Sequence, residues 1–318
     1  MARILVCTPG GAVTGGPELQ HQLVRTLCDL GHDAKVCYYP FDQHFECPEP
    51  YKHYGVPQTA LVDAPENSVV ISEVSTFLTK FFPRSRKFIW WMSIDNYFQR
   101  KKESALKDVY MHFKTRLEGR LPIGRLQGYH HLVQSQYALK FLEREGVRSQ
   151  MLSDYLGPAH LADREFGERE DVILFNPKKG MKKTQKLMDR YPQHRFLPLQ
   201  NMTPAELAGW FAKAKIYMDF GPHPGKDRMP REAAMAGCCV ITGREGSAAF
   251  YEDVPIPDIY KLDDRSSKFV DQFGPLAADI FGAFERHFHD FDHYRDVIRA
   301  EPAQFREQVA AVFGPGQP

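Results

Sequence analysis

Apolar residues in this chain fall into two recurring patterns, short unbroken runs and stripes at helical spacing, and the two alternate. Ile4-Leu5-Val6-Cys7 is such a run; it breaks at Pro9-Gly10-Gly11 and predicts a buried strand. Leu19, Leu23, Leu27 and Leu30 then recur on one helical face. Pro17 suits the first helical position, Glu18 the positive end of the dipole, and Gly31 the stop. The run at 34–39 is a second strand, so the unit is a parallel pair with a crossover helix. Further strands are predicted at 68–72, 87–91 and 132–135, with a helix over 137–145 that stops at Gly146. The stretch 96–128 is charged and helical in character.

The alternation restarts at 171. A strand at 171–175 is followed by a loop at 176–180, a helix over 183–191 and a strand at 194–199. Thr203-Pro204 opens a helix with Leu207, Trp210 and Phe211 on its apolar face. A strand at 216–220, a glycine- and proline-rich loop, a helix over 231–236 capped by Gly237 and a strand at 238–241 complete the series. From 276 to 313 the chain is helical and amphipathic, whereas 156–169 carries Gly, Pro and charge without periodicity and reads as a linker. These patterns predict an α/β fold of two Rossmann-like, doubly wound domains, 1–155 and 170–318, facing a cleft, with the last helix packing back on the first domain. Ligands of such folds bind on the loops at the carboxyl ends of strands, and often between domains.

Length agrees with this division: 318 residues suit two domains of roughly 150 each. Lys+Arg is 41 against Asp+Glu 40, a formal charge of +1, which excludes an extended nucleic-acid surface while leaving room for a local basic pocket. No apolar run approaches ~18 residues, so neither a leader nor a transmembrane segment is expected. The cytoplasm is the expected location, or the inner membrane face as a peripheral protein. None of the six cysteines forms a CxxC pair, and they read as reduced, buried thiols.

Three loops can carry chemistry. Gly10-Gly11-Ala12-Val13-Thr14-Gly15-Gly16 reads equally well as an anion-accepting glycine loop or a flexible turn; it fits neither G-x-G-x-x-G nor a P-loop. Asn176-Pro177-Lys178-Lys179-Gly180-Met181-Lys182-Lys183 puts four lysines at a helix start, where they oppose the dipole, and a di- or triphosphate would explain them. The third, 219–231, gathers Gly225, His223, Lys226, Asp227 and Arg228 in one polar connection of little local stability. Glu232 begins the small-residue helix after it, where an acid also satisfies the dipole.

Glu232, the small-residue helix, Gly237 and the strand Cys238-Cys239-Val240-Ile241 resemble the donor-binding segment of GT-B glycosyltransferases, in the broad retaining group called family 4. Gly15-Gly16-Pro17-Glu18 with its leucine helix, Asn176-Pro177-Lys178-Lys179-Gly180, and Tyr129-His130-His131-Leu132-Val133-Gln134-Ser135 resemble further segments of that group, in order along the chain. The third loop looks most like the variant found in surface-polysaccharide synthesis. The resemblance implies transfer of a sugar from a nucleoside-diphosphate sugar to a glycan or lipid-linked acceptor, with no cofactor and no bound metal. It implies that Glu232 holds the ribose. Gly15, Gly16, Lys178, Lys179, Asn201, Gly225 and Arg228 are the other expected donor-binding residues, and no metal ligands are expected. The group often carries a second glutamate eight positions earlier, where this chain has Pro224. Contacts to the sugar then pass to His223, Lys226 or Asp227, or are absent.

Departure of the diphosphate builds negative charge that cations stabilise, with Lys178 or Lys179 and Lys226 or Arg228 as the expected groups. An inverting reaction also needs a general base, for which Asp95 is the first choice and Glu73 the second. Asp95, His223 and Lys226 are the expected catalytic residues, although Asp95 also reads as a cap for the helix near Asn96. A sugar-nucleotide epimerase, a DNA-base glucosyltransferase and a non-catalytic glycan- or nucleotide-binding subunit are the alternatives.

Overall fold

Unbroken apolar runs become strands here because both faces of each sheet are covered. In the computed structural model, which describes residues 2–98, 119–162 and 166–314, Leu5, Val6 and Cys7 of β1 (Arg3–Pro9) are all buried. The chain divides into two units, Met1–Asp154 with Ala303–Pro318, and Tyr155–Pro302.

The first unit holds β1, β2 (Asp33–Tyr39), β3 (Ser68–Ser72), β4 (Arg86–Trp91), β5 (His130–Val133) and β6 (Gln150–Met151) in the order β2-β1-β3-β4-β5-β6. Every pair is parallel, with Val6 of β1 opposite Val36 on one side and Val70 on the other. The strand order reverses direction between β1 and β3, as a doubly wound sheet requires. Helix α1 (Gly15–Asp29) buries Leu19, Leu23 and Leu27 on the sheet. It starts two residues before Pro17, since a proline in the first turn gives up an N–H that has no helical partner. Two indoles tie strand ends together: Trp90 Nε1 donates to Leu152 O at 2.9 Å and Trp91 Nε1 to His131 Nδ1 at 2.9 Å. Of the stretch expected to be helical at 96–128, α2 (Ile94–Phe98) and a 3-10 turn at Ile123–Arg125 are seen, and 99–118 lie outside the described residues. Helix α3 (Gln136–Arg144) follows β5, capped by Ser135.

The second unit holds β7 (Glu170–Phe175), β8 (Arg195–Pro198), β9 (Ala214–Asp219) and β10 (Cys239–Thr242), parallel and ordered β10-β9-β7-β8. Its helices are α4 (Met181–Arg190), α5 (Pro204–Lys213), α6 (Arg228–Met235), α7 (Phe269–Gly282), α8 (Phe284–His289) and α9 (Asp292–Phe313), the last continuing into the first unit's residues. The carboxyl-terminal helical region is thus three helices, broken at Ala283 by a non-helical φ of −132°. The expected linker 156–169 is more than a tether: Leu156 sits in the second core, and Arg169 donates to the carbonyls of Phe211 and Ala214 at 2.8 and 3.0 Å. Residues 163–165 of it lie outside the described residues. All six cysteines are free thiols, four of them buried. Among the described residues no helix is long and apolar enough to cross a membrane.

Candidate functional site

Two loops of the second unit meet at their glycines. Gly180, with φ +58°, would place a Cβ 2.7 Å from the Phe220 carbonyl, and one on Gly221 would lie 2.5 Å from Lys179 Cβ. The lysine loop after β7 therefore rests directly on the loop after β9. Asp219 ends β9, accepting from Tyr217 Oη at 3.2 Å and from the Gly221 N–H at 3.1 Å. His223 is wholly buried between two carboxylates, with Nε2 3.7 Å from Asp219 Oδ1 and Nδ1 2.8 Å from Asp227 Oδ2. Lys179 Nζ reaches the same Asp227 oxygen at 2.6 Å. Burial alone would lower the His223 pKa, but Asp219 and Asp227 outweigh it and raise it above the ordinary histidine value. Burial pushes the Asp227 carboxyl up, and His223 and Lys179 more than reverse that, holding it below the usual carboxylate value. Lys179 is raised in turn: burial works against its charge, and Asp227 and Asp219 overcome it.

The expectation of a loosely held loop is corrected here. The Ser247 N–H donates to His223 O at 2.9 Å and its Oγ to Gly225 O at 2.6 Å, while Gly246, with φ +57°, backs onto the His223 carbonyl where no Cβ would fit. Asp219, His223 and Asp227 offer one ligand-type atom each within 4.8 Å of one another. The imidazole, however, faces its two acids through opposite ring nitrogens, and Lys179 holds the second acid. That donor set forms an ion-pair cluster in which the protein supplies the cations.

Beside it lies a pocket of about 440 Å³. Met202, Leu207, Phe211 and Met235 form an apolar wall, and His160, Arg228 and Glu232 supply polar groups. The Glu232 carboxylate is nearly buried; Oε1 accepts from Arg228 Nε at 3.0 Å and lies 3.9 Å from His160 Nε2. Helix α6 begins at Arg228 rather than 231, so Glu232 stands in the second turn and its dipole role recedes. Asn201, exposed and with a left-handed φ of 54°, precedes Met202 at the pocket wall. Asparagine adopts this conformation more readily than most non-glycine residues, so it suits the turn before Met202. Thr203 then opens α5 with a capping box to Glu206.

The other expected residues are spread over both units. Lys178 stands exposed at the turn, its backbone N–H donating to Asn176 Oδ1 at 3.0 Å. Lys226 Nζ lies 2.8 Å from Glu301 Oε1, and Arg231 takes the other oxygen at 2.8 Å. Lys183 pairs with Asp264 at 2.5 Å. Much of the basic charge in both loops is therefore answered by acids distant in sequence, and Lys226, like the buried His223, faces a protein partner. In the first unit Gly15 and Gly16 open α1, and Tyr51 Oη donates to the Thr14 carbonyl at 2.7 Å. Ser93 receives the Asn96 N–H at 3.2 Å, so Asp95 is not the cap; it accepts from Tyr137 Oη at 3.0 Å. Glu73 is buried, accepts the Met92 N–H at 3.1 Å, and has its carboxyl pushed up to about 7 by burial. The structure thus gathers Lys179, His223, Gly225, Lys226, Asp227, Arg228 and Glu232 in one unit and leaves Asp95, Gly15 and Gly16 in the other. Sequence reasoning missed His160 and Glu301, neither of which lies in a motif, and it gave Asp219, the first residue of the third loop, no role.

The chain matches no family model and no curated protein. Solved structures do match. Anabaena HepE in complex with UDP and glucose aligns at TM-score 0.62 and 10% identity over 98% of this chain and 99% of that one. WaaG, a glycosyltransferase involved in lipopolysaccharide biosynthesis, aligns at 0.62 and 11%, over 98% and 100%. A glycosyltransferase from Rickettsia africae aligns at 0.59 and 12%, over 99% of each. The chain has the GT-B fold. In both of its Rossmann-like units the glycine and charged loops described above come after parallel strands at their carboxyl ends, where this fold class builds its sites.

Proposed function

We propose that this protein is a glycosyltransferase that moves a sugar from a nucleoside-diphosphate sugar to a hydroxyl acceptor, in the synthesis of surface polysaccharide. One observation carries the reading. A nearly buried carboxylate, Glu232, sits in a 440 Å³ pocket with an apolar wall, and the loop leading to it holds Lys179. An apolar wall suits a base, a carboxylate suits the ribose diol, and cations suit the diphosphate. The fold shared with glycosyltransferases, one of them holding UDP, supports it. The acceptor is a glycan or lipid-linked sugar, and the site of action the cytoplasm or the inner membrane face.

In the reaction the bond from the anomeric carbon to the diphosphate oxygen breaks and one from that carbon to the acceptor oxygen forms. Lys178, Lys179 and Arg228 stabilise the charge on the departing diphosphate. Asp95, at the carboxyl end of β4, takes the acceptor's proton if configuration inverts. Pro224 offers the sugar no carboxylate at the position where the resemblance expects one.

A thermal-shift panel of nucleotides and sugar nucleotides, followed by product analysis, tests the reading. Lys179→Ala is expected to lose about tenfold or more in nucleoside-diphosphate affinity, and Glu232→Ala to weaken binding of the nucleoside itself. Turnover to an epimerised donor without acceptor would identify an epimerase, glucosylation of duplex DNA a DNA-base enzyme, and tight binding with no turnover of any sugar nucleotide a binding subunit. No stabilisation by any nucleotide or sugar nucleotide would overturn every nucleotide-dependent reading, the glycosyltransferase included, and leave a glycan-binding subunit.

A further inference from the structure

Glu301 lies in α9, 70 residues from the arginine it holds. Its carboxylate is 2% exposed on the side chain, with Lys226 on one oxygen and Arg231 on the other, each at 2.8 Å. Arg231 is fully buried and also donates to the backbone of the loop. Nε donates to the Asp227 carbonyl and Nη2 to the Lys226 carbonyl, both at 3.2 Å. The Asp227 carboxylate in turn holds Lys179 at 2.6 Å. Glu301, Arg231, the Asp227 backbone, the Asp227 carboxylate and Lys179 thus form one continuous path of charge-assisted contacts.

Burying a carboxylate with two cations is a poor way to gain stability, because apolar side chains of similar volume generally do as well or better. What the arrangement fixes is geometry. The planar guanidinium spreads five donors over a rigid fork and so grips an acid and two carbonyls in fixed directions, whereas an ammonium is a compact point charge with three donors on a flexible stem. On the reading of Lys179 as a diphosphate ligand, we infer that Glu301 and Arg231 are positioning residues that lock the Lys226–Asp227 turn and through it set Lys179. Lys226 completes the charge balance around Glu301.

The test uses the full chain as wild type, Arg231→Lys and Glu301→Gln. UDP, GDP and ADP are titrated beside uridine, guanosine and adenosine, and the ratio of diphosphate to nucleoside affinity is read for the pair that binds the wild type. In both variants nucleoside affinity stays within about twofold while that ratio falls about tenfold, the weight of one misplaced charge-assisted bond. An unchanged ratio, or an equal loss for diphosphate and nucleoside, overturns the positioning role and leaves the glycosyltransferase reading standing. A wild type that gains nothing from the diphosphate overturns the reading of Lys179 itself. Arg231→Lys keeps a cation opposite Glu301, so it decides the matter alone if Glu301→Gln does not fold.

Discussion

A carboxyl group buried away from water resists ionising, and at Glu73 that resistance becomes a dependence of stability on pH. Burial raises its folded value to about 7 from an ordinary 4.5, against the pull of the Met92 N–H. An acid raised on folding binds its proton more tightly in the native state, so the folded state gains most below pH 4.5 and loses that advantage as pH climbs to about 7. Glu73→Gln keeps an acceptor for the Met92 N–H and removes the charge. Its unfolding free energy should exceed the wild type's by about 3 kcal/mol above pH 7, and the difference should shrink steadily on acidification, as read from denaturant melts across that range. A constant difference at all pH values would show that Glu73 does not titrate in this window. His223 works in the same direction. A histidine raised on folding contributes stability that is whole below its ordinary 6.5 and is lost as pH rises through the folded value. A decline in stability that persists in Glu73→Gln above pH 6.5 is therefore expected, with His223 as its source.

Elements are positioned here by where backbones touch. Gly180 and Gly221 let the loops after β7 and β9 lie against each other, and at Gly180 both the left-handed φ and the Phe220 carbonyl exclude a side chain. Gly180→Ala should destabilise by about 2 kcal/mol or more and weaken nucleoside-diphosphate binding along with it, since Lys179 is its neighbour. Thermal melts and UDP titration check this; a variant that loses stability but binds as before would separate the contact from the site. The strands are legible in the sequence because parallel strands covered on both faces leave unbroken apolar runs, as at 4–7 and 172–175. Helix starts are less so. The pattern places Pro17 first in its helix and starts the later one at 231, just after Pro230. Each proline in fact sits third, because the whole first turn tolerates a missing N–H. That shift turns Glu232 from a dipole acid into a pocket acid. The lysine and arginine clusters are legible as charge, but their partners are not: Asp264 lies 81 residues beyond Lys183, and Glu301 70 beyond Arg231. No local pattern announces a pairing that the fold alone creates.

At the scale of the whole chain, a formal charge of +1 coexists with dense local charge, because acids and bases are paired within the second unit rather than spread as a field. Each unit has its own core, one around Leu5, Ile71, Ile89 and Trp91, the other around Ile173, Tyr217, Val240 and Phe273. The pocket and the ion-pair cluster draw every residue from the second. A ligand stabilises the states that bind it, by about 2.7 kcal/mol at a hundredfold excess over Kd, and that free energy should appear where its contacts are. Saturating UDP, or whichever nucleotide binds, should slow amide exchange in β7, β9, β10 and α6 and leave β1, β3 and β4 exchanging as in the free protein. Equal slowing in both sheets would mean that the nucleotide also engages the glycine loop after β1. Gly15 and Gly16 would then be donor residues, as the resemblance implies, and the acceptor would have to approach without that loop.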